Sequence, residues 1–268
     1  TLAFHDLWPA QGDYDFNDLV VGYDFSIIKN NQEIVQSMTA TFTVQAYGAS
    51  FNNGFGFTLP TVSAADIVSV TGYDVQNSTV FSIGNKGLEN GQTNATIIVF
   101  DDVRRIMPQV TGGIGVNTQS AYAYTAPVTV TVEIVFSGNL TYSQLNIGSF
   151  NPFLIVGTSL NQAPGTGSRG KEVHLANYPP SNLFDTNLFG TASDNSSPNI
   201  GRYFVTPNNL PSAVNIAGGF TWPKEAQDII GAYPNFAPWA QGAPANANWY
   251  LNLPGNISSG ATYTIPGN

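Results

Sequence analysis

The chain has 268 residues, of which 42% are hydrophobic and only 9% charged, with 17 acidic residues against 8 basic, two histidines and no cysteine. An average soluble domain is about 25% charged, so this surface is built from Asn, Thr, Ser, Gln and Gly, as suits an extracellular or periplasmic β protein. The net charge of -9 disfavours nucleic acid and anionic membrane as partners and favours cations. Without cysteine there is no disulfide, no thiolate nucleophile and no zinc site built on Cys.

Apolar runs such as residues 95–100 and 153–156 fall far short of the roughly 20 residues that span a bilayer, so no transmembrane segment is expected. The first residue is Thr1 rather than Met, and the expectation is an exported protein whose signal has been removed. The length allows two compact domains, but one large β domain over residues 1–268 is the preferred reading.

The first long strand is expected at residues 19–28. In residues 35–48, Met38, Ala40, Phe42, Val44 and Ala46 alternate with Ser37, Thr39, Thr41, Thr43 and Gln45, a period of two that sends one set inward. Further strands are expected at 54–59, 67–70 and 95–100. At 128–136, Val128, Val130, Val132, Ile134 and Phe136 alternate with Thr129, Thr131 and Glu133, and β-branched content fits a pleated surface. Shorter candidates follow at 153–156, 172–175 and 261–265, each bounded by Gly, Pro or Asn. This pattern predicts an all-β fold, an antiparallel β-sandwich or jelly roll, with strand over more than a third of residues. Residues 1–160 are the strand-rich core. Residues 161–268, crowded with Pro and Asn, read as long ordered loops, with one short amphipathic helix at about 223–233. There Pro223 suits a first turn, Ala226, Ile229, Ile230 and Tyr233 share a face, and Pro234 ends the run.

The sharpest local feature is Asp13-Tyr14-Asp15-Phe16-Asn17-Asp18, in which oxygen-bearing side chains recur every second residue. A hard cation needs six to eight oxygens, and such a segment gathers several from one short stretch, as the opening of an EF-hand loop does. Asp18 stands where an EF-hand needs Gly and a strand follows, so the fold is not an EF-hand. Asp6, Asp13, Asp15, Asp18 and Asp24 all precede the first basic residue, Lys29, and such a cluster repels itself unless a cation sits among it. Calcium is the expected ion, held by Asp13, Asp15 and Asp18 through carboxylates, Asn17 through its amide oxygen, and Asp6. An Asx-rich turn whose carboxylates cap backbone N–H groups stays open as the alternative.

Phe4, His5, Asp6, Leu7, Trp8 and Pro9, followed by Gly12 and the acidic segment through Val21, resemble the opening of the LruC-type domain, found in surface and outer-membrane-associated proteins of Gram-negative bacteria. Glu172-Val173-His174-Leu175, Tyr178-Pro179-Pro180, Asn208-Asn209-Leu210-Pro211 and Trp222-Pro223-Lys224-Glu225 are similar to that domain's second half. The resemblance implies one domain, cell-surface, secreted or outer-membrane-associated, without established enzymatic activity. His5, where the family has Glu, and Gly22, where an acidic residue is expected, depart from the pattern.

Asp101 and Asp102 read as a solvated strand end beside Arg104 and Arg105. Gly165-Thr166-Gly167-Ser168-Arg169-Gly170 matches a dinucleotide fingerprint literally but leads into an extended segment, so the mechanism behind the fingerprint is missing. His174 reads as a hydrogen-bonded structural histidine. No catalytic motif is present, and a non-enzymatic, monomeric adhesion or recognition module with a surface glycan or protein ligand is expected. The alternative is a carbohydrate-active enzyme or glycan-binding accessory domain using Glu172 and Asp194, with Trp222, Trp239, Trp249 and Tyr250 as sugar-stacking candidates, although burial is the commoner role of such rings.

Overall fold

Residues 1–109, 111–158 and 169–266 are described by the computed structural model. The alternating segments pair into one antiparallel sheet of six strands, in the order β10-β1-β2-β3-β7-β5. In chain order these are β1 (Leu2–Phe4), β2 (Leu19–Lys29), β3 (Val35–Ala46), β5 (Ile67–Thr71), β7 (Val128–Phe136) and β10 (Ala213–Asn215). A second antiparallel sheet has the order β6-β4-β8-β9, from β4 (Gly54–Ser63), β6 (Asn94–Phe100), β8 (Asn151–Ile155) and β9 (Glu172–His174).

Met38, Ala40, Phe42, Val44 and Ala46 are all fully buried, as their period requires. Phe42 stands at the centre of the sandwich, with Phe55 at 5.2 Å and Phe57 at 5.4 Å between ring centroids. The opposite face of the same sheet carries a polar ladder, in which Thr43 bonds Thr129 at 3.0 Å and Thr39 donates to Glu133 at 2.9 Å. Strands β4, β6 and β8 instead read as nearly continuous apolar runs. Their sheet is covered on both faces, because Phe81 packs outside it on Ile98, Phe153 and Ile155.

Strand occupies 32% of the chain, just under the third expected, and helix 13%. Eight of the nine expected strands form. The ninth, at 261–265, is reduced to a single bridge between Pro223 and Thr262, because each partner is held by loop contacts rather than by a ladder. β1 and β10, three residues each, were too short to show a period; they pair with each other and tie the first residues to the loop-rich second half.

The helix expected at 223–233 is corrected to two short pieces, α3 (Ile229–Ala232) and α4 (Phe236–Ala240). Ala226 is left-handed at φ 59° and donates its N–H to Asp15, and Asp228 caps α3 by accepting from Gly231. Those bonds commit residues 223–228 to a loop before a helix can begin. The apolar stripe still does its expected work: Ile229, Ala232, Tyr233 and Phe236, with Trp222 and Trp249, cover Ala3, Val20, Ala46 and Val214 on the outer face of the first sheet. Trp222 and Trp249 are 1% and 2% exposed, which removes both from any sugar-stacking role. Among the described residues no helix is long and apolar enough to cross a membrane.

Candidate metal centre

The acidic segment is a coiled loop between β1 and β2. Tyr14 and Phe16 both adopt left-handed backbone, at φ 54° and 55°, which non-glycine residues occupy only when their surroundings enforce it. Here the enforcement is packing. The two rings stack edge-on at 4.9 Å, Phe16 meets Phe236 at 5.6 Å, and the Tyr14 hydroxyl donates to the Pro211 carbonyl. With both aromatics driven into the cap, Asp13, Asp15 and Asn17 are left to turn the other way.

The five residues expected to hold an ion are brought into one locality. Asp6, Asp15, Asn17 and Asp18 are all buried, whereas the Asp13 side chain is 36% exposed. Ligand atoms of His5, Asp13 and Asp15 lie within 4.8 Å of one another. Asp18 accepts the Asp6 N–H at 2.8 Å and stands 3.2 Å from His5 Nδ1. Asp6 turns one oxygen to the Asn53 amide at 2.9 Å. Asp15 accepts from Asn17 Nδ2 at 2.7 Å and from the Ala226 N–H at 3.0 Å, so the turn-capping role weighed for this segment is also present.

Two residues that the sequence did not assign complete the locality. Glu225, noted only within the 222–225 segment of the resemblance, sits across the loop: the oxygens Asn17 Oδ1 and Glu225 Oε2 lie 1.8 and 2.6 Å from where a Cβ on Gly48 would fall. Asn17 Oδ1 is buried without a hydrogen-bond partner, and its amide is fixed in that sense because Nδ2 donates to Asp15 and to the Pro223 carbonyl. His5, noted only as a departure from the resemblance, is fully buried with neither ring nitrogen aligned to a partner.

Electrostatics follow from this crowding. Burial first, then the neighbouring Asp18, Asp13 and Glu225 carboxylates, push Asp15 up to about 8. Burial with Asp6 beside it holds Asp18 well above the usual carboxylate range, and burial also raises Asp6. Glu225 is pushed up to about 7, chiefly by burial. Burial lowers the pKa of His5, against the raising influence of Asp6, Asp15 and Asp13. Lys171 lies within electrostatic reach of Asp6 and Asp18, but its own ammonium pKa is lowered by burial. The donor set is therefore several carboxylate and amide oxygens, the kind a hard divalent cation takes, with one imidazole among them, a ligand more usual for transition metals.

Gly48 is the only residue type that this packing admits at its position. Gly48→Ala is expected to displace Asn17 and Glu225 and to cost about 1–3 kcal/mol by overpacking, read by urea denaturation. The loss should be larger in calcium than in chelator if those two oxygens serve an ion.

The acids invoked for hydrolysis are occupied elsewhere. Glu172 is fully buried, ion-paired with Arg169, bonded to His174 at 2.7 Å and to the Ser181 hydroxyl at 2.5 Å; Arg169 is the foremost influence that brings it down to about 2, against the cost of burial. Asp194 accepts from Trp8 Nε1 at 3.0 Å, from the Gly190 and Ser196 N–H groups and from the Ser196 hydroxyl. Asp101 is also corrected: it is buried, not solvated, pairs with Arg105 and accepts from the Gln76 N–H, while Asp102 caps α1 (Val103–Ile106). Most of the glycine-rich 165–170 segment lies outside the described residues.

Among solved structures, a candidate lipoprotein from Bacteroides ovatus is similar to this chain with a TM-score of 0.66 and 17% identity, over 98% of this chain and 75% of that one. That likeness concerns the fold. No curated protein matches. A family model does match residues 33–250, a span that begins after the acidic loop and includes Glu225; it does not carry the LruC-type label that the motifs resemble. The chain belongs to the DUF4842 family, a domain of unknown function.

Proposed function

We propose that the chain is a non-enzymatic β-sandwich module of a bacterial cell-surface or secreted protein, organised around a calcium ion and serving adhesion or recognition. The observation that carries the ion is Asn17 Oδ1, buried, fixed in orientation and unpartnered near Glu225, in the same loop in which ligand atoms of His5, Asp13 and Asp15 gather within 4.8 Å of one another. A buried polar atom without a partner costs free energy, and a divalent cation would supply that partner while displacing the protons that crowding imposes on the acids. The envelope location is supported by the LruC-type resemblance, by the sparsely charged surface, and by the description of the Bacteroides ovatus relative as a candidate lipoprotein. The non-enzymatic reading is supported by the engagement of Glu172 and Asp194 in internal hydrogen bonds.

Calorimetric titration with calcium tests the ion. Asp13 makes no hydrogen bond to the backbone of its loop, so Asp13→Asn removes a carboxylate without dismantling the turn. One equivalent of calcium is expected to bind the wild type, and Asp13→Asn or Glu225→Gln should each weaken it about tenfold, about 1.4 kcal/mol. Unchanged affinity in both variants, or tighter binding of zinc than of calcium, would remove the oxygen-ligand reading. No turnover is expected on ester, peptide or glycoside substrates.

A further inference from the structure

Both sheets end on one side of the sandwich, β10 closing the first and β9 the second. A groove of about 820 Å³ runs there, lined by residues 175–178 after β9, by β10 and by Trp239 of α4. Its volume lies in the range of small-ligand sites, and it shares no lining residue with the acidic centre.

We propose that this groove binds an oligosaccharide. Trp239 is partly buried and held in place, its ring 5.5 Å from Trp249 and 5.8 Å from Phe236. Tyr178 is partly buried on the main core. These are two anchored rings of the kind that pack against the apolar faces of pyranose units, at little cost in conformational entropy. Polar groups suited to hydroxyls line the same groove. Arg202 donates Nε to the Asn195 carbonyl at 3.1 Å and Nη2 to the Thr206 carbonyl at 2.8 Å, which fixes its guanidinium and leaves Nη1 for a ligand. Asn177 and Asn209 are exposed, each at a left-handed position, φ 64° and 62°, and each presents an amide that both donates and accepts.

Charge narrows the class. In a chain of net charge -9, Arg202 is the one charged side chain lining the groove. A polycation would find no carboxylate there. An extended peptide adding to the sheet is disfavoured because β10 offers only three residues of edge, with Pro211 just before it. A sugar chain uses rings, amides and a guanidinium without needing a strand edge.

The test is isothermal titration of the full chain with cellohexaose, xylohexaose, mannohexaose and a galacturonate hexamer, the last separating an acidic from a neutral sugar. At least one probe is expected to bind with a Kd at or below about 1 mM. Tyr178→Ala and Trp239→Ala should each weaken it about tenfold, as loss of an aromatic contact residue does. Both variants lose packing at partly buried rings, so each is titrated well below its own melting temperature and lost binding is read from a folded chain. The same binding in Tyr178→Ala and Trp239→Ala as in wild type, or no binding of any probe at about 10 mM, overturns the proposal. A hexapeptide that competes with the bound sugar through β10 would also overturn it in favour of strand addition.

Discussion

Arg169→Met is expected to cost about 3–5 kcal/mol of stability near neutral pH, the size typical of removing one member of a buried ion network. Arg169 holds Glu89 through both carboxylate oxygens, at 2.5 and 2.6 Å, and also pairs with Glu172; the two acids are wholly buried. Its removal leaves two carboxylates in the interior with only neutral donors and His174 beside them. The pH dependence has a definite sign. Glu172 titrates at about 2 in the folded chain against an ordinary 4.5, so its ionised pairing contributes stability that is present above about pH 4.5 and lost as pH falls from there towards 2. The gap between wild type and Arg169→Met should therefore narrow on acidification, as the stranded carboxylates take up protons. Urea denaturation at pH 7 and at pH 4 measures this. An equal gap at both values would mean that Arg169 acts by packing, not charge.

The same cluster shows where reading from sequence stops. His174 was legible as a structural residue because Val173 and Leu175 flank it on the opposite face, and it is indeed buried, with Nδ1 on Asn151 and Nε2 on Glu172. Both ring nitrogens thus face acceptors. Burial lowers its pKa while the Glu172 carboxylate raises it. Nothing in the sequence links Glu89 to Arg169, eighty positions apart, since that pairing is made by the arrangement of loops around β9. The long strands were legible for the opposite reason, because each carries its own period. Met38 to Ala46 needed no partner to declare an inward face, whereas β1 and β10 acquire meaning only through each other.

The acidic loop lies between these cases. Local spacing marked Asp13, Asp15, Asn17 and Asp18, and folding gathers them. Glu225 entered only with the third dimension, and its role was masked by an apparent helix start, since Ala226, Ile229 and Ile230 mimic a helical stripe. The loop conformation that replaces that helix is what brings Pro223, Glu225 and Ala226 against the acids. An ion held there would join the N-terminal loop, the segment after β3 at Gly48 and the C-terminal cap, and its loss should loosen all three together.

Thermal melting near pH 7.5, in calcium and in chelator, combined with metal analysis of the purified chain, addresses this most directly. A ligand bound only by the folded state stabilises it by RT ln(1 + [L]/Kd), about 2.7 kcal/mol at a hundredfold excess over Kd, which for a chain of this length is a melting shift of several degrees. Calcium should raise the wild-type melting temperature by that amount and that of Asp13→Asn by only about half as much, since a tenfold weaker Kd leaves about 1.4 kcal/mol at the same calcium concentration, and one equivalent of calcium should be found in the protein. Asp15→Ala is the poorer probe, because Asp15 also holds Asn17 and Ala226 whether or not an ion is bound. If chelator leaves the wild-type melting temperature where it was and metal analysis finds no calcium, the segment is a hydrogen-bonded Asx turn and the ion is not part of this protein.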